Sequence, residues 1–328
     1  MIPITVTDQS QVSDARRRVG ALARGAGFDE TEAGKVAIVV TELATNLLRH
    51  GGGGEILASV DSTDGGLAVL ALDKGPGMAS VEACLRDGFS TGGTQGTGFG
   101  AIRRQSRAMD VWSKPGSGTA ILCRFGGSEP PADGLRVGGV CVPMPGEEAS
   151  GDGWSCSGTG SGARTILVAD GLGHGPQAAT AALEAGRLFL RRPDDPVPTI
   201  LETLHHGLRA TRGAAVAVAR VEPALRRVAF GGVGNIAGTV FAAGQHKKTV
   251  SHTGTAGVSA RRFQEFVYPI DGDWLLVMHS DGVSGGWSLD SYPGLAMRDP
   301  LLVAGVLYRD FSRRRDDSTV VVARGRTP

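Results

Sequence analysis

Val168-Ala-Asp-Gly-Leu-Gly-His-Gly175 sets an aspartate at the end of an apolar run and follows it with a glycine-rich turn into an alanine-rich helix. The pattern repeats at Leu276-Val-Met-His-Ser-Asp-Gly282, and Arg315-Asp-Asp-Ser-Thr-Val-Val-Val322 puts two more carboxylates directly before a strand. Asp152, in Gly151-Asp-Gly-Trp154, is a further acidic point. A single Asp-Gly is usually a turn, because both residues suit turn geometry. Several beside apolar strands, one with a Gly-Leu-Gly-His-Gly sequel, are harder to assign to turns alone. Carboxylates delivered to strand ends are what a hard divalent cation needs, since Mg²⁺ and Mn²⁺ favour oxygen ligands in near-octahedral geometry. Two such ions, bridged about 3.5–4 Å apart, lower the pKa of a shared water that then attacks phosphorus in line. No protein nucleophile is required, in keeping with the lack of a persuasive Ser-His-Asp or Cys-x5-Arg pattern.

Composition bounds the rest. At 328 residues two domains are expected, and Gly126-Gly-Ser-Glu-Pro-Pro-Ala-Asp-Gly134 is the breaker-rich stretch that separates them. We take 1–126 as the first domain, 127–134 as linker and 135–328 as the second. The 51 glycines sit between apolar runs, so they read as turns and ligand loops and not as low complexity. A net charge of +1 gives no electrostatic ground for nucleic-acid or membrane binding. Cys84, Cys123, Cys141 and Cys156 lack metal-finger or Cys-x-x-Cys spacing and read as reduced thiols. The N-terminus shows no signal peptide, and no apolar run approaches the roughly 20 residues that cross a bilayer. A soluble, cytoplasmic protein is expected.

In the first domain the spacing predicts helices over 10–25, 29–49 and 101–109, and strands over 55–60, 67–72 and 119–125, a helix-on-sheet α/β layer. The second helix, capped by Asp29 or Thr31, has its apolar stripe at Val36, Val39, Val40, Leu43 and Leu47 and stops at Gly51–Gly54. Glu42 and Asn46, four apart, share a face rotated off that stripe. A solvated polar face is the ordinary reading of such a pair. Alternatively the amide oxygen ligates a phosphate-bound Mg²⁺ and the carboxylate takes a proton from an attacking hydroxyl. Asp73 then ends a strand and opens Asp73-Lys-Gly-Pro-Gly77, where it can accept a hydrogen bond from adenine N6 while Gly75 and Gly77 let backbone approach the ring. Gly96, Gly98 and Gly100 end a glycine-rich loop at a helix N-terminus, which suits phosphate.

Glu-x-x-x-Asn, then Asp-x-Gly-x-Gly, then a glycine lid, resemble the GHKL ATPases, within them the small serine kinases and anti-sigma factors of bacterial partner switching (RsbT/RsbW-like). Thr41-Glu-Leu-Ala-Thr-Asn46, Asp73-Lys-Gly-Pro-Gly-Met78 and Asp87-Gly-Phe-Ser-Thr91 carry the resemblance, over nearly all of residues 1–125. It implies a Bergerat α/β sandwich with Asn46 as Mg²⁺ ligand, Glu42 as catalytic base, Asp73 on adenine, Gly96, Gly98 and Gly100 in the lid, and Thr119 supporting the adenine site. The phosphodonor histidine box of sensor kinases has no counterpart.

The second domain is strand-rich, with helices expected over 176–191, 200–209 and 300–310, which suggests two antiparallel sheets flanked by helices. Its aspartates resemble the metal-dependent PPM phosphatases, most of all the bacterial sporulation and stress-response branch (SpoIIE/RsbX-like), over about 135–328. The resemblance implies an α-β-β-α sandwich with metal ligands at Asp152, Asp170, the Gly171 carbonyl, Asp281 and Asp316, or Asp317 by a one-residue shift of register. His174 is either a general acid for the leaving serine or a loop histidine. His279 reads as core or rim, and Gly231-Gly-Val-Gly-Asn235 as a sheet turn. No early phosphate-binding arginine stands out beyond Arg136.

These features describe a bifunctional regulator: an ATP-dependent Ser/Thr kinase domain joined to a Mn²⁺/Mg²⁺-dependent phosphatase domain. Both would act on STAS-type antagonist or scaffold proteins, with a sigma factor or a downstream phosphatase as further partner. The alternative keeps the phosphatase and makes the first domain a non-catalytic, ATP-binding module that sequesters a partner.

Overall fold

The computed structural model describes residues 1–61, 64–84, 98–128, 134–158 and 162–327. It forms two units, Met1–Glu129 with Ser288–Arg309, and Pro130–Trp287 with Asp310–Pro328.

The first unit begins β1 (Ile2–Val6), α1 (Gln9–Gly25), α2 (Glu30–Gly51), β2 (Gly54–Val60) and β3 (Leu67–Leu72). It continues with α3 (Val81–Cys84), α4 (Gly98–Gln105), β4 (Ala108–Ser113) and β5 (Thr119–Phe125). Asp8 and Asp29 cap α1 and α2 in reciprocal boxes with Gln11 and Glu32. Gly52, at φ 68°, closes α2 in the left-handed conformation that glycine adopts without strain. The strands make one antiparallel sheet in the order β1-β2-β3-β5-β4. Val12 and Val19 of α1 and Val36, Val40 and Leu43 of α2 cover the face carrying Ile56, Leu67, Val69, Ala71 and Ile121.

The expected helix over 101–109 ends at Gln105, and Ala108–Ser113 pairs with β5 instead. Its branched and aromatic Val111-Trp112 suit a pleated surface, and cross-strand pairing overrides local helix propensity there.

The second unit contains β6 (Arg136–Val142), β7 (Asp152–Gly158), β8 (Arg164–Gly171), α5 (Pro176–Arg191), α6 (Val197–Gly207), β9 (Ala214–Glu222) and β10 (Arg227–Val233). Then come β11 (Ala237–Ala242), β12 (Gln245–Lys248), β13 (Phe266–Pro269), β14 (Asp273–His279) and β15 (Ser318–Arg326). Two five-stranded antiparallel sheets result, ordered β13-β10-β9-β8-β7 and β12-β11-β14-β15-β6. Strand alternation sorts the apolar residues. Ile166, Val168, Ala219 and Phe230 meet Leu276, Met278 and Val321 between the sheets. Leu167, Ala169, Val216 and Val218 point the other way, onto Ala185 and Phe189 of α5 and Leu201 and Leu204 of α6.

Between β14 and β15 the chain returns to the first unit through Ser288–Arg309, which carries most of α7 (Pro300–Phe311). The reason is legible in β3, whose Leu67-Ala-Val-Leu-Ala-Leu72 lacks alternation and is buried throughout. An antiparallel strand with two apolar faces needs cover on both. Helices α1 and α2 take one face. On the other, a Cβ placed on Gly305 would come within 2.3 Å of Leu70. Glycine lets α7 lie this close without moving the Leu70 side chain.

Candidate functional sites

In the first unit, α2 holds Glu42 and Asn46 partly buried beside its fully buried stripe. The Asn46 Nδ2 atom is buried without a hydrogen-bond partner among the described residues. A buried orphan amide is costly unless something pairs with it. Asp73 lies just after β3, and its Oδ1 accepts from Gly75 N at 2.9 Å and Thr119 N at 3.1 Å. Oδ2 has no hydrogen-bond partner among the described residues. Burial pushes the carboxyl above its ordinary range, against those hydrogen bonds and the charges of Arg309 and His50.

The glycines around Asp73 are there for close approach. A Cβ on Gly77, at φ 69°, would fall 2.1 Å from Lys114 O, and one on Gly75 would fall 2.7 Å from Gly51 Cα. Ser113, which the sequence reading missed, ties this floor together. Its Oγ accepts from Met78 N at 2.8 Å, donates to Gly118 O at 2.9 Å and lies 3.0 Å from Thr119 Oγ1. Gly98 and Gly100 fall in the first turn of α4. Gly96 and the Asp87-Gly-Phe-Ser-Thr91 motif lie outside the described residues. Gly75 and Gly77 pack against the protein's own backbone at Gly51 and Lys114; chemically, Asp73 Oδ2 can accept from an exocyclic amine and the Asn46 amide can meet a polar ligand group.

In the second unit the carboxylates gather at one end of the space between the sheets. Asp152 and Asp170 are register partners across β7 and β8, continuing the inward-facing row of Ile166 and Val168. On the opposite sheet Ser280 continues the row of Leu276 and Met278, and its Oγ donates to Asp152 Oδ2 at 2.6 Å. Asp281 follows, its Oδ2 accepting from Asn235 Nδ2 at 2.7 Å. Gly231–Val233 belong to β10 and pair with β9 where a turn was expected, and Asn235 just beyond them orients a carboxylate, a role its sequence did not disclose.

Burial raises the Asp170 carboxyl far above its ordinary range, and the charges of Asp152, Asp281, Asp316 and Asp317 add to that shift. Asp152 is raised in the same way, by burial first and by Asp317 and Asp316 after it, against the Ser280 hydrogen bond. Asp281 is raised by burial and by Asp316, while Arg313 and His279 oppose the shift. Among the described residues, no three His, Cys, Asp or Glu side chains close into a metal-holding group. The carboxylates are electrostatic neighbours and not a finished cage.

Asp316 and Asp317 part company here. Asp317 is 2% exposed and accepts Met144 N on Oδ1 and Gly151 N on Oδ2, each at 2.8 Å. It clamps two loops and leaves Asp316, half-buried, as the more available carboxylate. His174 is exposed, with Nδ1 2.9 Å from Glu147 Oε1. His279 is buried on β14. Arg136 pairs in register with Arg324, at the far end of β6 from the Val142–Ser318 pair that adjoins Asp317. Arg313 lies near enough to Asp281 to oppose its shift, and Arg212 Nη1 lies 3.2 Å from a Cβ placed on Gly173.

Two of the Asp-Gly pairs have a steric reason, whereas a Cβ on Gly153 would meet only ordinary contact with Ala182. A Cβ on Gly171 would sit 2.2 Å from Ala178 O, and one on Gly282 would sit 1.8 Å from Asp317 O. Gly282→Ala is therefore expected to lower stability by about 3 kcal/mol, the upper part of the usual overpacking cost. The midpoint of urea unfolding, at unchanged m-value, checks it.

Residues 5–125 match the histidine kinase-like ATPase domain family. Residues 160–326, just over half of the chain, match the Stage II sporulation protein E (SpoIIE) family. The chain belongs to the SpoIIE family. Ahead of its SpoIIE part it carries a GHKL-type unit that is 32% identical over 110 residues to the serine/threonine-protein kinase RsbT of Bacillus subtilis (strain 168). That alignment covers 33% of this chain and 83% of RsbT.

A solved chain from the bacterial stressosome, described as a modular system adapted to control secondary messenger signalling, is 28% identical at TM-score 0.54. It matches over 58% of this chain and 98% of its own. RsbX in complex with magnesium matches at TM-score 0.52 and 16% identity, over 60% of this chain and 98% of its own, and shows the fold. The RsbU and RsbW domains of a Mycobacterium tuberculosis protein do likewise at TM-score 0.50 and 16% identity, over 60% of this chain and 62% of that one. This SpoIIE-family chain thus joins a kinase-like unit to a PPM-type serine/threonine phosphatase fold, a pairing that implies nucleotide and divalent-metal use. Among the described residues, no helix is long and apolar enough to cross a membrane.

Proposed function

We propose that this chain is a bifunctional partner-switching regulator. Its first unit phosphorylates a serine or threonine on a STAS-type antagonist or scaffold protein, and its second unit hydrolyses such a phosphoester. The observation that supports this most is the gathering of Asp152, Asp170, Asp281 and Asp316 from two sheets at one end of the sandwich, where Asp170 feels the charges of the other three. RsbT, a serine/threonine kinase, and the stressosome chain support the choice of partner. A sigma factor or a downstream phosphatase would be the next component. We place the protein in the cytoplasm, where its cysteines stay reduced.

In the first unit Glu42 takes the proton of the attacking hydroxyl, Asn46 offers its amide oxygen to the phosphate-bound ion, and Asp73 Oδ2 accepts from the adenine amine. Gly96, Gly98 and Gly100 are assigned to the phosphates, as the resemblance implies. In the second unit Asp152, Asp170, the Gly171 carbonyl, Asp281 and Asp316 form the donor set. Ser280 and Asn235 orient two of these carboxylates, and Asp317 fixes the loop that bears Asp152. Divalent ions bound there supply Lewis-acid polarisation and an acidified water. We assign no step to His174.

Mixing the purified protein with a STAS partner, with either ATP and Mg²⁺ or Mn²⁺ alone, and following phosphoserine by mass spectrometry tests both directions. Phosphate gained in the first mixture and lost in the second is expected. Nucleotide-dependent binding of the partner without phosphate transfer would favour the sequestering alternative.

Metal linkage provides a further test. Asp152 is raised from 3.8 to about 7 and Asp170 to about 8. Between 3.8 and those values the folded chain holds more protons than the unfolded one. Without metal, stability therefore falls as pH rises through that window. A cation competing with these protons binds more tightly as they leave. In chelator the thermal midpoint of the second unit should drop between about pH 5 and pH 8, while the gain on adding Mn²⁺ grows over the same range. A Mn²⁺ gain independent of pH would remove these carboxylates from the donor set.

A further inference from the structure

Arg309 lies near the end of α7 and is 5% exposed. A guanidinium so deeply buried needs acceptors, because an unpaired buried charge is strongly destabilising. It finds backbone carbonyls of the first unit. Nη1 donates to Asp73 O at 2.7 Å and to Thr119 O at 3.4 Å, and Nη2 donates to Ser117 O at 2.8 Å. The guanidinium carbon lies 5.7 Å from the ring centre of Trp112, within cation–π range.

These carbonyls belong to one small structure. Asp73 N donates to Thr119 O at 3.0 Å, and Thr119 N returns a bond to Asp73 Oδ1 at 3.1 Å. Between Ser117 and Thr119, Gly118 adopts φ 74°, where a Cβ would lie 2.1 Å from Asp73 O. Holding the carbonyls of Asp73, Ser117 and Thr119 together fixes the peptide planes on which the Asp73 side chain stands. Oδ1 is occupied by backbone N–H groups, so the direction of Oδ2 follows from those planes. The planar fork of arginine suits this, since it spans acceptors at set angles, which a lysine ammonium does not.

The segment bearing Arg309 is anchored along its length. Asp299 pairs with Arg124 at 2.8 Å and donates its N–H to Asp110 Oδ2 at 2.7 Å. Trp112 Nε1 donates to Pro293 O at 3.1 Å, and Tyr308 OH to Glu55 Oε1 at 3.2 Å.

We propose that Arg309, which lies within the SpoIIE-matched part of the chain, is a positioning residue for nucleotide recognition in the kinase-like unit, setting Asp73 so that Oδ2 meets the exocyclic amine of adenine. This rests on the nucleotide reading above and adds that residues 1–129 do not by themselves complete that site.

The test uses the full chain, with and without Arg309→Met and Arg309→Lys. Affinities are measured by calorimetry with Mg²⁺ for ATP and for purine riboside triphosphate, which lacks the 6-amino group. The wild type should prefer ATP by about tenfold or more, as expected for a hydrogen bond to a charged acceptor. Arg309→Met should lose about tenfold for ATP and little for the analogue, so the preference collapses. Arg309→Lys should fall between. A merely structural role would lower the thermal midpoint and weaken both ligands alike, leaving the ratio intact. That result, in Arg309→Met or in Arg309→Lys if the first does not fold, overturns the inference. A wild type that binds ATP without preference over the analogue, or binds neither, overturns the role of Asp73 itself and this inference with it.

Discussion

Asp170→Asn is expected to reduce Mn²⁺-dependent release of phosphate from a phosphoserine substrate by about a hundredfold or more. Removing an outer partner of a metal ligand already costs about 10–100-fold, and Asp170 is placed in the donor set itself. The same change should leave the thermal midpoint in chelator unchanged or raise it. Asp170 is largely buried among Asp152, Asp281, Asp316 and Asp317, so an ionised carboxylate there meets like charge on several sides. Asparagine keeps the shape and removes that charge. A variant that is inactive yet no less stable has lost chemistry and not fold. Hydrolysis at the wild-type rate, measured as free phosphate at saturating Mn²⁺, would withdraw Asp170 from the site.

Glu42→Gln is expected to lower phosphotransfer to a STAS partner by about 10²–10⁴-fold, the usual contribution of a positioned base, while ATP binding stays within about twofold. The side chain has no hydrogen-bond partner among the described residues, so the neutral amide disturbs no packing that holds α2. Calorimetric ATP affinity and the initial rate of phosphoserine formation report the two quantities separately. Equal rates for the two proteins would leave the first unit as an ATP-shaped binding module.

Much of the architecture is written in local pattern. The stripe of α2 from Val36 to Leu47 is buried as its 3.6-residue period requires, and Asp29 caps the helix through Glu32 N. The apolar run Ile166–Ala169 announces a strand, while which of its residues face the other sheet and which face the helices is settled only by packing. The candidate acids were legible because an Asp-Gly after an apolar run is visible without knowing the partner strand.

What stayed hidden depends on residues far apart in sequence. The strand Asp152–Gly158 is half-exposed and polar, and pairing with Arg164–Gly171 makes it a strand. Ser280 and Asn235 gain meaning only from the carboxylates they touch. Asp316 and Asp317 are indistinguishable by position, and the Met144 and Gly151 amides separate them. No early arginine beyond Arg136 stands out as a phosphate ligand, and Arg136 sits at the end of its strand away from Asp317. Arg309 looks like an ordinary helix-terminal arginine. Its carbonyl partners lie 190 to 236 positions earlier in the chain.

The return of Ser288–Arg309 to the first unit bears on how such a protein can be taken apart or rebuilt. A single scission in the Gly126–Gly134 stretch separates neither unit cleanly. The leading fragment loses the helix over Leu70 and Leu72, and the trailing one keeps a wholly apolar Pro300–Leu307 helix stripped of that sheet. Replacing the first unit at a single crossover would set a foreign sheet against the Pro300–Leu307 helix, so both stretches have to be exchanged together for the packing around Gly305 to survive.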